Sequence, residues 1–341
     1  MNPNLEQLPI PLLDWYRENA RDLPWRKNPT PYRVWLSEIM LQQTRVTAVL
    51  GYYNRMLACC PTVVDLAALE EDRLMKLWQG LGYYSRARNL QKAAQIIANE
   101  YGGEFPADYS AIRALPGIGD YTAGAICSIA FGLPTPAVDG NVLRVVARIT
   151  GDDTDITSPA MKKTVTAALE QIIPLKAPGD FNQALMELGA TVCIPNGAPL
   201  CAKCPAAPFC TAHQEGLTDK LPVKAPKKAR RVEQRDVFLI FHDRKVALRR
   251  RPSRGLLAGL WEYPNELSPA QCPVEGCEQT LLTAKHIFTH VEWHMTGHIM
   301  FAHTDALPDG WVWADRKALT QIYAIPNAFD GFSAAVAEHT R

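Results

Sequence analysis

The apolar residues of this chain change their period once, and that change limits what it can fold into. From the N-terminus to about residue 215 they recur at three- and four-residue spacings: Tyr32 to Leu50, Leu66 to Trp78, Ala87 to Ile97, Thr122 to Phe131, Val142 to Ile149 and Met161 to Ile173. Short breaks with Pro or Gly separate these runs, the pattern of helices that each bury one face. A Pro- and Lys-rich stretch without apolar period follows, LPVKAPKKARRVEQR at 221–235, and reads as a linker. Beyond it the pattern turns to short strand-like runs: VFLIF (237–241), KVALR (245–249), HIMFAH (298–303) and WVWAD (311–315). The expected architecture is an all-α domain over 1–218, a basic linker over 219–235 and a smaller α+β domain over 236–341. A chain of 341 residues accommodates two such domains.

Charge and cysteine usage narrow the function classes. The net charge is only +1, yet Lys220 to Arg254 carries thirteen Lys or Arg against three acids, so that the rest of the chain is net acidic. Such a basic belt suits a polyanion or a solvated linker equally well. No apolar run approaches the ~18 residues of a membrane span, and the N-terminus lacks a basic-then-apolar signal, so a cytoplasmic protein without membrane contact is expected. Four of the nine cysteines, Cys193, Cys201, Cys204 and Cys210, crowd into eighteen residues as C-x7-C-x2-C-x5-C. In a reducing compartment that density reads as a metal site. One uneven loop that supplies all four thiolates favours a cubane [4Fe–4S] cluster, with zinc left open by spacing alone.

Three further motifs carry chemistry. In LPGIG at 115–119, a short helix at about 108–114 is expected to turn through Gly117 and Gly119 around a buried Ile118 into a helix that starts near Tyr121. Backbone amides at a helix start form a sequence-blind phosphate site, and the helix–hairpin–helix of DNA-binding proteins has this pattern. In VDGNVLRVV at 138–146, Asp139 sits where a loop enters a helix, either as an N-cap or as an ionised carboxylate that faces a developing cation. In PYRVWLSEIMLQQTR at 31–45, Tyr32, Trp35, Ile39, Val46 and Leu50 form the expected core stripe of one helix, with Glu38, Leu41 and Arg45 at its border. A glutamate at the edge of an apolar face is partly desolvated, which favours its protonated form.

Taken in order and spacing, LPWRKNPTPYRVWLSEIMLQQTRV, WQGLGYYSRARNL, LPGIGDYTAGAI, VDGNVLRV, FNQALMELGATVC and the cysteine loop resemble MutY-type adenine DNA glycosylases of the helix–hairpin–helix superfamily that includes endonuclease III. The likeness covers about residues 10–215 and continues more loosely through 236–341, which resembles the MutT-like (Nudix-fold) domain of that family. The resemblance implies a base-excision repair enzyme that removes adenine mispaired with 8-oxoguanine or guanine from duplex DNA after flipping it out of the stack. Glu38 falls at the family's catalytic glutamate, which protonates adenine N7, and Asp139 at the carboxylate that stabilises the oxocarbenium-like sugar. Tyr121 and Asn141 match residues that support these carboxylates, and Arg26 and Gln183 match positions that line the adenine pocket. Leu41, Gln43 and Thr44 match the segment that enters the stack near the lesion, and Tyr83 matches a wedge beside it. The cysteines match the ligands of a [4Fe–4S] cluster. A monomer, associated with the bacterial nucleoid through DNA, is expected.

The chain departs from the family pattern at informative places. The first cysteine spacing is seven residues where six is common. In HIFTH at 286–290, Phe288, Thr289 and His290 match the family's F-S-H lesion-reading loop with threonine in place of serine. No Glu-rich Nudix box is present, so hydrolysis of nucleoside triphosphates is not expected. Bifunctional relatives put a lysine where this chain has Tyr121, and that lysine forms a Schiff base and cleaves the strand. Tyr121 therefore points to hydrolysis by water with an intact abasic product. The alternatives are an endonuclease III-like glycosylase/lyase and a non-catalytic iron–sulfur DNA-binding module.

Overall fold

The computed structural model describes residues 2–226 and 229–341; Lys227 and Lys228 of the basic belt lie outside the described residues. The chain divides into two compact units, Met1–Ala67 with Asn89–Pro226, and Ala68–Arg88 with Lys227–Arg341.

The first unit is helical. The helices that build the site are α1 (Pro31–Leu41), α2 (Val46–Cys59), α3 (Tyr109–Ala114), α4 (Asp120–Phe131), α5 (Gly140–Thr150) and α6 (Pro178–Thr191). The start of α1 follows from its sequence: the Thr30 side chain accepts from the Arg33 N–H, and Pro31 occupies the first turn, where no N–H is needed. The single helix expected from Tyr32 to Leu50 is broken. α1 ends at Leu41, α2 begins at Val46, and Gln43 between them adopts φ 57°, a left-handed conformation that interrupts any right-handed helix. Tyr32, Trp35 and Ile39 are buried as expected, but Val46 and Leu50 are only half-buried, and Val49 takes the core position of α2.

Helix α4 is buried continuously from Thr122 to Ser128, so it is the central rod of this unit. The residues of α5 and α6 share one core that includes Val142, Val146, Ile149, Phe181, Leu185 and Leu188. Gly189 on α6 allows the close approach, because a Cβ there would stand 2.6 Å from Asn141 Cβ. The segment before Asp139 is pinned by Asn182, which is fully buried. Its Oδ1 accepts the Ala137 N–H at 3.0 Å, and its Nδ2 donates to Ser128 Oγ and to the Thr135 carbonyl, each at 2.8 Å.

The second unit is built on a seven-stranded sheet: β1 (Arg231–His242), β2 (Lys245–Arg250), β3 (Trp261–Glu262), β4 (Asn265–Leu267), β5 (Gly276–Ile287), β6 (Val291–Ala302) and β7 (Trp311–Ala314). The order is β3-β2-β1-β6-β5, with β4 paired to β1 and β7 to β2; β1 and β6 run parallel, and the other pairs are antiparallel. The period-two alternation of VFLIF sends Val237, Leu239 and Phe241 into one core with Trp293, Phe329 and Phe332, and Phe238 and Ile240 into a second with Met300. β1 reaches back to Arg231, into the stretch expected as linker, because its pairing with β6 runs from Arg231 opposite Val291 onward.

Ala68–Arg88 belongs to this unit through specific contacts. Lys76 Nζ donates to the carbonyls of Leu319 (2.7 Å) and Tyr323 (3.1 Å) at the end of the helix Arg316–Gln321, and Gln79 Nε2 donates to the Ile325 carbonyl at 2.9 Å. Arg250 pairs with Asp72 at 3.1 Å, and Arg88 donates to the Ala258 carbonyl. Lys76 donates to helix-terminal carbonyls, where a cation is favoured.

Candidate active site

A cavity of about 490 Å³ in the helical unit is lined by Arg26, Glu38, Tyr121, Asp139, Asn141 and Gln183, and also by Leu41, Gln43 and Thr44 of the α1–α2 break. Residues distant in sequence thus face one space. Glu38, on the last turns of α1, is 6 % exposed and accepts a 2.5 Å hydrogen bond at Oε2 from the Tyr121 hydroxyl, which stands in the first turn of α4. Burial, with the neighbouring Asp139 charge, raises the Glu38 carboxyl from its ordinary value to about 7 against the opposing pull of that hydrogen bond. The expected desolvation is therefore present, and deeper than an edge position implies.

Asp139 is the N-cap of α5. Its Oδ1 accepts the N–H groups of Asn141 (2.9 Å) and Val142 (2.8 Å), and its Oδ2 accepts Asn141 Nδ2 at 2.8 Å. Burial raises its carboxyl above the usual range, while these three donors pull it down by favouring the ionised form. The capping and charged readings are thus compatible in one residue.

Several residues around the cavity carried no sequence signal of their own. Glu187 lies one helical turn beyond Gln183 on α6, and its side chain is fully buried. Arg21 Nε holds it at 2.6 Å and Arg26 Nη2 at 2.8 Å, which lowers its carboxyl despite burial. Arg26 is thereby fixed at the wall by an ion pair to α6. Arg144, one turn into α5, donates to Asn141 Oδ1 (2.9 Å), to the Gly189 carbonyl (2.7 Å) and to the Cys193 carbonyl (2.8 Å). The i,i+3 spacing of Asn141 and Arg144 was the signal available for this link.

The four cysteines line a second, small cavity with Val145, Arg148 and Leu188. Arg148 Nη1 stands 3.3 Å from Cys193 Sγ, and the Cys210 thiol donates to the Arg148 carbonyl at 3.3 Å. Burial and the neighbouring thiols raise Cys201 and Cys210, and push Cys204 up to about 12. Among the described residues no three His, Cys, Asp or Glu side chains are gathered closely enough to hold a single metal ion.

The hairpin matches its expected geometry closely: α3 ends at Ala114, Gly117 turns at φ 77°, Ile118 is buried and α4 starts at Asp120. A Cβ on Gly117 would meet Asn89 Cβ at 2.7 Å, so this turn demands glycine for space as well as for conformation.

In the second unit two predicted site residues meet. The Tyr83 hydroxyl lies 2.9 Å from Thr289 Oγ1, and both side chains are exposed at that contact. Phe288 packs edge-on against Trp293 at 4.8 Å and His286 at 4.6 Å, which anchors the loop, while Thr289 and His290 face solvent.

Comparison with known proteins finds relatives of both units. The family model for HhH-GPD superfamily base excision DNA repair proteins matches residues 36–174, and that for the NUDIX domain matches 236–334. An adenine DNA glycosylase of Buchnera aphidicola subsp. Acyrthosiphon pisum is 35% identical, with 83% of each chain covered. The adenine DNA glycosylases of Rattus norvegicus and Homo sapiens are 40% and 38% identical over 74% of this chain, which spans 59% and 56% of their lengths. Among solved structures, a thermostable thymine-DNA glycosylase aligns with TM-score 0.56 and 28% identity over 63% of this chain and 98% of its own. A non-covalent endonuclease III–DNA complex aligns with TM-score 0.52 and 25% identity over 62% and 98%. Among the described residues no helix is long and apolar enough to cross a membrane.

Proposed function

The chain belongs to the adenine DNA glycosylase family, and from that membership we propose that it hydrolyses the N-glycosidic bond of adenine mispaired with 8-oxoguanine or guanine in duplex DNA. The observation that carries this reading is the buried Glu38–Tyr121 hydrogen bond in the same cavity as a capped Asp139. With its carboxyl near 7, Glu38 is an acid matched to neutral pH. Its proton passes to adenine N7, the C1′–N9 bond breaks, and adenine leaves as a neutral base. Asp139, held as an acceptor by three N–H donors, stabilises the cationic sugar until water adds to C1′ and yields its proton to a carboxylate. Arg26 and Gln183 line the space for the flipped base, with Tyr121 and Asn141 orienting the two carboxylates. Tyr121 offers no amine to C1′, so the product is an intact abasic strand, unlike that of a lyase.

DNA engagement is assigned to Gly117 and Gly119 of the hairpin at the backbone, and to Leu41, Gln43 and Thr44 at the opened stack. Tyr83, Phe288, Thr289 and His290 are assigned to the 8-oxoguanine side, supported by the Tyr83–Thr289 contact. The enzyme acts as a monomer in the cytoplasm, on the nucleoid. The test is incubation of the purified chain with duplexes that contain A:8-oxoguanine or A:G: adenine should be released, and the strand should break only after alkali. Breakage without alkali would favour the lyase; no release from either duplex would overturn the proposal. Thr289→Ala should compress the rate ratio between the two substrates by about fivefold, the worth of one hydrogen bond at about 1 kcal/mol. Equal losses on both would remove Thr289 from lesion reading.

Four thiols on one cavity wall form a donor set that suits a [4Fe–4S] cluster, with Cys193, Cys201, Cys204 and Cys210 as its ligands. Cys193, Cys201, Cys204 and Cys210 would hold the cluster as thiolates, and when bound it would supply the positive charge that offsets theirs. Cys204→Ala should lose bound iron and weaken DNA binding. Full iron content in that variant, measured by absorbance and metal analysis, would remove Cys204 from the ligand set.

A further inference from the structure

The start of β1 breaks the rule that governs the rest of that strand. Period two places Arg231, Glu233 and Arg235 in phase with Val237, Leu239 and Phe241, the residues that face the main core of the second unit. Opposite them on β6 stand Val291, paired with Arg231, and Trp293, paired with Glu233. The face that is apolar farther along the strand here lines a cleft of about 570 Å³, walled by these residues, Arg251, Leu256 and His290.

The guanidinium groups in the cleft are constrained but not saturated. The side chains of Arg235 and Arg251 are only 11 % and 15 % exposed. Arg235 donates through Nε to Asn265 Oδ1 (3.0 Å) and through Nη1 to Glu233 Oε2 (3.1 Å). Arg251 donates through Nε to the Leu256 carbonyl (2.9 Å) and through Nη1 to Glu262 Oε2 (2.5 Å). Both lie over the Trp293 ring, at 4.6 and 5.7 Å. Among the described residues the Nη2 group of each has no protein acceptor, although an arginine offers five N–H donors. Arg231, 76 % exposed, stands at the entrance. The lone carboxylate on the wall, Glu233, is engaged by Arg231, Arg235 and the Trp293 N–H, so the cleft stays net positive. Trp293 is 1 % exposed and thus offers no face for a base to stack on. What fits is a tetrahedral oxyanion that takes forked N–H donors.

We infer that Arg231, Arg235 and Arg251 form a phosphate-binding cleft, and that its occupant is a backbone phosphate of the strand whose base meets Thr289. This rests on the DNA substrate proposed above. The source of the phosphate follows from connection: the Arg231 N–H donates to the His290 carbonyl at 3.2 Å, and Arg230 Nε to the Phe288 carbonyl at 3.1 Å. The arginine-bearing strand is thus tied to the loop that carries Thr289, and every base in a duplex has a backbone phosphate within one nucleotide.

The test uses the full chain in a Glu38→Gln background, so that duplexes stay uncut, with affinity measured by anisotropy between about 50 and 200 mM salt. Arg231→Ala, at an exposed side chain, and Arg251→Lys, which keeps the charge beside Glu262 but loses the fork, should each weaken A:8-oxoguanine and A:G duplexes by a similar factor of about fivefold. Arg231→Ala should also reduce the slope of log affinity against log salt by about one. Lys245→Ala, at the start of β2 opposite the far end of β1 and in the same basic belt, serves as the control and should change little. Equal effects of Lys245→Ala and Arg231→Ala would mean a diffuse belt and overturn the cleft. Unchanged DNA binding in the arginine variants, with loss of inorganic phosphate binding read by phosphorus-31 line broadening, would overturn the DNA source. Adenine release by the chain with native Glu38 is measured alongside; its failure would sink the glycosylase proposal alone, since cleft binding is read without catalysis.

Discussion

Replacing Glu38 by glutamine should lower single-turnover adenine release by about 10²- to 10⁴-fold, the range that general-acid catalysis supplies. The amide has no proton of useful acidity for adenine N7, yet it keeps the volume of the side chain and an oxygen that accepts from Tyr121. The same substitution should change stability in the opposite sense. The Glu38 carboxyl is raised by burial from 4.5 to about 7, so its contribution is fully present below about 4.5 and is lost as pH rises through about 7. That shift corresponds to about 3 kcal/mol. Glutamine does not titrate, so from about pH 5 to 8 the native chain should lose stability relative to the variant. Adenine release by the native chain should fall over the same interval, as the acid form is depleted. A pH-independent rate across neutrality would remove Glu38 as the proton donor.

Asp139→Asn should be nearly as damaging, by about 10³-fold, through loss of the charge that faces the developing cation. Asparagine also caps helices, so the two backbone N–H groups of α5 keep an acceptor, and the stability cost should stay near 1 kcal/mol. The remaining cost has a specific origin: Asn141 Nδ2 would face an amide nitrogen instead of Asp139 Oδ2, while its own oxygen is held by Arg144. A folded, active variant would leave Asp139 only its capping role. An unfolded one would show that the cap dominates.

The positions of Tyr121 and Asp139 on the cavity wall were legible because each sits in a short motif with a backbone requirement. LPGIG needs its turn and VDGN needs its cap, so the positions of Tyr121 and Asp139 at helix starts follow from local rules. The depth at which Glu38 is buried was not legible, since it depends on Tyr121, 83 positions away, closing over it. Glu187 and Arg21 were missed for the same reason: an ion pair across 166 positions leaves no periodic trace. The break after Leu41 was hidden because no glycine or proline marks it and the apolar spacing resumes nearly in phase at Val46. Strand β5 was hidden because residues 277–281 are all exposed and alternation begins only at Leu282, with no position fully buried. Nothing local placed Ala68–Arg88 with the sheet.

That last grouping has a consequence for synthesis. Lys76 is held by a carbonyl 243 positions downstream, and its helix buries Leu74, Met75 and Trp78. At about 5–20 residues per second, roughly 12–50 s pass between translation of this segment and of its partner. Over that interval the carbonyl acceptors of the Lys76 ammonium at Leu319 and Tyr323 do not yet exist. In a chain stalled on the ribosome near residue 226 this segment should therefore be cleaved by protease faster than after read-through to the terminus, which supplies the acceptors of Lys76.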